Sequence, residues 1–165
     1  MAETSGQDIR QGRFRREAKG AETASVCVKV ERGRIRAFAS VLGQIDPLFN
    51  DVAAAHAMGH PDIAAPPSFF MVVEAIANEE LRRQGEASAI EMAGCDFRYL
   101  LHGDEHYSYN GLVYAGDSVT FSTRVLDFYD RKGGLMEFVT LESVVAHHER
   151  GPLIRARRTL LHKFG

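Results

Sequence analysis

One predicted helix decides what this chain can become. It opens at Pro67 and Ser68 and runs to Arg83, with Phe69, Phe70, Val72, Val73, Ile76, Ala77 and Leu81 covering more than half of its circumference. A helix that is apolar on most sides has to be buried on most sides. Proline suits the opening turn, because the amide it lacks would have gone unpaired there. Two shorter helices come first. Glu31 to Gly43 places Ile35, Phe38, Ala39 and Leu42 on one face with arginines on the other, and Gly43 stops it. A turn through Gln44-Ile45-Asp46-Pro47-Leu48-Phe49-Asn50-Asp51 then leads into an alanine-rich helix ending at Met58.

The rest of the chain supplies what the long helix needs around it. After Ala87 the pattern becomes one of strands, predicted over Ala89 to Leu101, Glu105 to Tyr109, Ser118 to Tyr129, Leu135 to His148 and Pro152 to Phe164. Val119, Phe121, Thr123 and Val125 alternate with polar residues, and so do Glu137, Val139, Leu141, Ser143 and Val145 with their neighbours. One further strand, near Ala24 to Val30, precedes the helices. Strand, helices, long buried helix, then antiparallel strands is an α+β order, expected to curl a five- or six-stranded sheet round the central helix. That layout is hot-dog-like.

Charge and composition narrow the partners. A formal net charge of −2 gives no reason to expect nucleic acid or an anionic membrane. No apolar run reaches the roughly 20 residues of a membrane-spanning helix, and the beginning of the sequence has no signal-peptide core, so a cytoplasmic location is expected. The two cysteines, Cys27 and Cys95, fall in predicted strands and read as small buried hydrophobes. Residues 1–22 carry five basic side chains between Arg10 and Lys19 with Ile9 and Phe14 as the only strongly apolar ones. They are expected to form a mobile tail, either a solvated leader or a phosphate-contacting arm, ahead of a single domain over 23–165.

Several short motifs together resemble one family. Val30-Glu31-Arg32-Gly33-Arg34-Ile35-Arg36-Ala37-Phe38-Ala39, Asp46-Pro47-Leu48-Phe49 and Ala65-Pro66-Pro67-Ser68-Phe69 are similar to the MaoC-like dehydratases. The likeness is to their N-terminal, FAS1-like dehydratase half and to HadA-type subunits. Leu101-His102-Gly103-Asp104-Glu105 and Ala115-Gly116-Asp117 resemble the family's later landmarks. The resemblance implies a hot dog that pairs with a second hot dog, as a homodimer or heterodimer. It also implies a substrate carried as a coenzyme A or acyl-carrier-protein thioester, with no other cofactor and no metal.

Active relatives carry an aromatic residue, then Gly-Asp-any-Asn-Pro-aliphatic-His, then a small residue six positions on. Hydration of a 2-enoyl thioester needs a base to take a proton from water and an acid to protonate the α-carbon, work that Asp and His can share. Here Phe38, Gly43, Pro47, Leu48 and Ala55 match, but Gln44 stands at the aspartate position, Asp46 at the asparagine position and Phe49 at the histidine position. Neither an amide nor a phenyl ring titrates near neutrality. The expectation is therefore an acyl-binding hot dog without its own dyad, completed by a dyad-bearing sister in a (3R)-hydroxyacyl-thioester dehydratase or enoyl-CoA hydratase.

Substrate contact is expected from Asp46, Phe49, Pro67, Ser68, Phe69, Phe70, Val73 and Ile76. The amides of Ser68 and Phe69 at the helix start are placed to polarise a thioester carbonyl. Two alternatives stay open: a non-catalytic homodimer that only grips an acyl thioester, and a thioesterase using a carboxylate of the central helix. His60, Glu74 and His102 are the fallback candidates for chemistry. Arg155, Arg157 and Arg158 read as a basic patch on the last strand.

Overall fold

The computed structural model describes residues 13–164. Its architecture is α+β: a single five-stranded antiparallel sheet in the order β1-β3-β4-β5-β2, wrapped round one long helix. The strands are β1 (Val26–Lys29), β2 (Leu100–Tyr109), β3 (Ser118–Arg131), β4 (Met136–His147) and β5 (Gly151–Lys163), and the helices are α1 (Arg32–Val41), α2 (Val52–Ala57), α3 (Phe70–Gln84) and α4 (Ala89–Met92). A 3-10 turn over Pro67–Phe69 feeds α3, and Gly85 ends it at φ 75°, a backbone conformation that glycine adopts without a Cβ penalty.

Alternation decides which residues meet the helix. Val119, Phe121, Thr123 and Val125 of β3 and Val139, Leu141, Ser143 and Val145 of β4 point inward and are buried. Of these, Val119, Phe121 and Val145 share one core with Phe70, Val73, Ala77 and Leu81 of α3, which are also buried. The inward hydroxyls are not left unpaired, since Thr123 Oγ1 and Ser143 Oγ are 2.8 Å apart. The sheet's outer edge is β2, whose side chains are almost all exposed. It carries a bulge between His102 and Glu105, where Gly103 approaches so closely that an added Cβ would lie 2.9 Å from the Thr159 carbonyl oxygen.

Three expectations are corrected. Ala89 to Leu101 is not one strand: residues 89–92 form α4, because Ser88 and Glu91 make a reciprocal capping box and fix a helical turn, and β2 begins only at Leu100. Cys95 consequently lies in the loop after α4, and Cys27, although in β1, faces solvent.

The expected tail over 1–22 is partly wrong as well. Residues 1–12 lie outside the described residues, whereas 13–22 are packed on the sheet. Phe14 is buried in a second core with Val125, Val139, Leu141 and Leu160, closed by Ala89 and Ala93. Gly20 N donates to Val125 O at 2.8 Å, and Glu22 pairs with Arg124 at 2.7 Å. Two basic residues of this segment bond carboxylates on the sheet: Arg16 bonds Asp130, and Lys19 bonds Asp127 at 2.7 Å.

Candidate functional site

An apolar cavity of about 440 Å³ lies where α3 begins. Pro66 and Pro67 bring the chain up to the helix without amides to satisfy, and the next turns aim Phe69, Phe70 and Val73 into the same space. The opposite wall comes from the end of β2 and the loop beyond it, through Tyr109, Leu112 and Val113, with Ile154 of β5 forming the floor. Two short bridges hold that loop over the helix start: Ala65 N donates to Val113 O at 2.7 Å, and Ala115 N to Ile63 O at 3.0 Å. Arg150 braces it from outside, donating to Leu112 O at 2.7 Å and to Asp117 at 2.5 Å.

The cavity is apolar and carries few polar atoms. Tyr109 donates its hydroxyl to Pro67 O at 3.3 Å, and burial pushes its phenol above the ordinary value. Asn110 donates to Pro152 O at 3.4 Å. Among the described residues, the cavity's lining contains no carboxylate and no histidine. Of the two amides expected to face a carbonyl, Phe69 N donates instead to Pro66 O at 2.8 Å. The Ser68 amide has no acceptor among the described residues.

Of the residues expected to contact substrate, Pro67, Phe69, Phe70 and Val73 line this cavity, and Asp46, Phe49, Ser68 and Ile76 do not. Asp46 instead caps the turn that follows it, accepting from Leu48 N at 2.9 Å. Asn50 ties the same turn together by donating to Gln44 O and Asp46 O at 3.0 and 3.1 Å. Gln44 is exposed and Phe49 half-buried, so the motif segment lies beside the pocket and supports it. That support is direct: Leu48 O accepts from Ala64 N at 3.0 Å, and Phe38 packs edge-on against Phe69.

The fallback candidates are dispersed. His60 bonds the Tyr114 hydroxyl at 3.0 Å. His102 is exposed on the edge strand, 3.8 Å from Glu105. Glu74 is held in a two-point grip by Arg158, at 2.9 and 3.0 Å. Arg158 also bonds Glu105, to which Tyr107 donates at 2.6 Å. Burial alone would raise the Glu105 carboxyl, but the bonds from Tyr107 and Arg158 outweigh it and hold it below its usual value. The Tyr107 phenol, buried and facing that carboxylate, is pushed up to about 12. Among the described residues, no three His, Cys, Asp or Glu side chains gather into a metal-binding cluster.

The arginine patch expected on β5 is split, because strand alternation turns Arg155 and Arg157 outward to Glu142 and Arg158 inward to Glu74. Sequence reasoning missed Tyr109, Leu112, Val113 and Ile154. Only the end of a strand and the loop after it marked them, and nothing local said which wall that loop would form.

A five-stranded antiparallel sheet wrapped on a central helix, with an apolar cavity at the helix start, defines a hot-dog domain. Comparison with known proteins carries this to a family. Residues 17–155 match the family described as FAS1-like, dehydratase domain region. A UPF0336 protein of Leifsonia xyli subsp. xyli is 34% identical over 132 residues, covering 80% of this chain and 83% of its own. One from Thermobifida fusca is 34% identical over 118 residues, covering 72% of each. Among solved structures, the C-terminally truncated HadBC (3R-hydroxyacyl-ACP dehydratase) complex of Mycobacterium tuberculosis superposes with a TM-score of 0.69 at 19% identity, covering 87% of this chain and 96% of that one. The (R)-hydratase of A. caviae gives a TM-score of 0.62 at 16% identity, covering 89% and 96%. The chain belongs to the FAS1-like dehydratase domain region family.

Proposed function

We propose that this chain is the acyl-binding hot dog of a (3R)-hydroxyacyl-thioester dehydratase, HadA-type in role, which holds the acyl chain while a sister hot dog supplies the Asp and His. The observation that carries this reading is the apolar cavity at the start of α3, whose lining among the described residues has no group able to exchange a proton near neutrality. Gln44 and Phe49 at the motif positions agree with it. The neighbour described as the HadBC (3R-hydroxyacyl-ACP dehydratase) complex, and another described as the ChsH1-ChsH2 complex of Mycobacterium tuberculosis, support a paired arrangement.

In this role the cavity takes the hydrocarbon tail of a coenzyme A or acyl-carrier-protein thioester. The Ser68 amide at the head of α3 is then the group available to the thioester carbonyl. Arg158 argues against a thioesterase built on Glu74. A carboxylate neutralised by a two-point guanidinium bond, outside the cavity, is a poor base or nucleophile.

Hydration of trans-2-enoyl-CoA, followed as loss of the conjugated thioester absorbance, tests the reading. The chain alone should give no turnover, and adding a hot-dog subunit that carries the intact dyad should restore it. A homodimer that turns over substrate unaided, or a pair that stays silent, overturns the proposal.

A further inference from the structure

The part of the sheet that α3 leaves uncovered is closed by residues 13–22 and α4, and beneath them lie two titratable side chains that the cavity does not use. His162 of β5 is fully buried. Its Nε2 accepts the Asp96 amide at 2.9 Å, so the ring proton is on Nδ1, which has no partner among the described residues. The Phe14 ring lies stacked on the imidazole, 3.9 Å between centroids and 14° between planes. Next to it, Glu137 is the cross-strand partner of His162 and is only 3% exposed. Its carboxylate accepts from Phe14 N at 3.3 Å and lies 3.6 Å from Arg13 and 3.8 Å from Arg16.

Four elements face His162. Residues 13–16 contribute Phe14 and, through Glu137, the two arginines. The loop after α4 contributes Asp96, whose carboxylate is drawn to Arg98 by hydrogen bonding and held at about 2. β4 contributes Glu137, and the chain beyond β5 contributes Phe164. Burial depresses the basicity of the ring, and the Asp96 charge opposes this only weakly.

We infer that residues 13–22 form an acid-released strap, held down while His162 is neutral and freed when that ring takes a second proton. The incoming proton must go to Nε2, where the Asp96 N–H already points, so two donors would oppose each other. The new cation would also be sealed under Phe14. Glu137 is engaged while the strap is down, by Phe14 N at 3.3 Å and by the nearby Arg13 and Arg16, which compete with the imidazolium for its charge. Lifting Phe14 opens the ring to water and takes all the strap's contacts off Glu137 in the same movement, which frees the carboxylate for the imidazolium.

The sign follows from linkage. A histidine with a depressed folded pKa contributes stability that is present above its ordinary value of about 6.5 and is lost as pH falls through the folded value. While the closed form stays neutral, each pH unit below about 6.5 shifts the strap about tenfold toward release.

Hydrogen exchange on the full chain, corrected for intrinsic rate, tests this at pH 7.5 and pH 5. The amides of Arg15, Gly20 and Thr23, which donate to Ala93 O, Val125 O and Thr123 O, report the strap. Amides in the β3–β4 ladder report global stability. The expected result is about a thirtyfold loss of protection in the strap, with the ladder changed far less. The His162→Gln variant, which keeps an acceptor for Asp96 N–H but cannot titrate, should lose the pH response. A strap equally protected at both pH values, or a pH response that survives His162→Gln, overturns the inference. Should that variant fold poorly, NMR titration of the His162 ring in the natural chain decides the matter. A ring that titrates below the ordinary value together with Phe14 shifts supports the strap, and one that titrates at or above it with Phe14 unmoved refutes it.

Discussion

Arg158→Met should be a damaging change on the inner face of the sheet, and the triad around it says by how much. The guanidinium is 11% exposed and bonds Glu74 (14%) and Glu105 (27%). Removing it takes from Glu74 and Glu105 the guanidinium they share. Breaking a buried pair from one side costs about 3–5 kcal/mol. Glu105 is more than a quarter open to solvent, so water relieves part of the loss and the lower end, about 3 kcal/mol, is expected. Glu74→Gln is milder, because Arg158 keeps Glu105 and the amide still accepts a hydrogen bond. About 1 kcal/mol is expected there.

At about 2–4 °C per kcal/mol for a domain of this size, the melting temperature should fall by about 6–12 °C for Arg158→Met and by about 2–4 °C for Glu74→Gln. Urea unfolding followed by far-UV circular dichroism measures both. The Glu105 carboxyl, held low in the folded state, contributes stability above its ordinary value that is lost as pH falls through the folded one. Arg158→Met should therefore flatten the acid side of the stability curve. Urea midpoints for Arg158→Met within 1 kcal/mol of the natural chain, or a larger loss for Glu74→Gln than for Arg158→Met, would refute the triad as a coupled unit.

Other outcomes follow from single sites. Iodoacetamide at pH 8 should modify Cys27, which is exposed, long before Cys95, whose thiol is pushed up to about 12 by burial, and peptide mass mapping will show the order. Gly103→Ala should destabilise by about 1–3 kcal/mol, because its new methyl meets a backbone oxygen that cannot move aside, and hydrogen exchange should locate the loosening at the β2–β5 bulge. Phe14→Ala should cost about 3 kcal/mol in urea unfolding and expose the strap to trypsin at Arg15 and Arg16.

Much of the fold could be read from the sequence because its two periods are strong and long. The α3 residues Phe70, Val73, Ala77 and Leu81 and the β3 and β4 alternation left few alternative packings. What failed was local. Ile90 and Met92 look like strand residues until Ser88 and Glu91 are read as a capping box. Phe14, one aromatic among many charges, gave no sign that the sheet had an uncovered stretch to receive it.

The site was half legible for a similar reason. Pro67, Phe69, Phe70 and Val73 come from the helix whose burial was evident. Tyr109, Leu112, Val113 and Ile154 reach the cavity only through tertiary contacts across the sheet. Asp46 and Phe49 were expected at the substrate because of their motif, yet the hydrogen bonds of Asp46 and Asn50 use that turn to brace the chain leading into Ala64 and Ala65.

Equilibrium dialysis of radiolabelled octanoyl-CoA against the purified chain, with free coenzyme A as competitor, tests the central claim most directly. Saturable binding is predicted, with free coenzyme A competing at least tenfold more weakly, because the cavity contributes through buried hydrocarbon. Val73→Trp, which fills the cavity, should weaken it about tenfold, and Gln44→Ala should leave it unchanged. No binding, or binding indifferent to the acyl chain and to Val73→Trp, would contradict the assignment of the cavity at the start of α3.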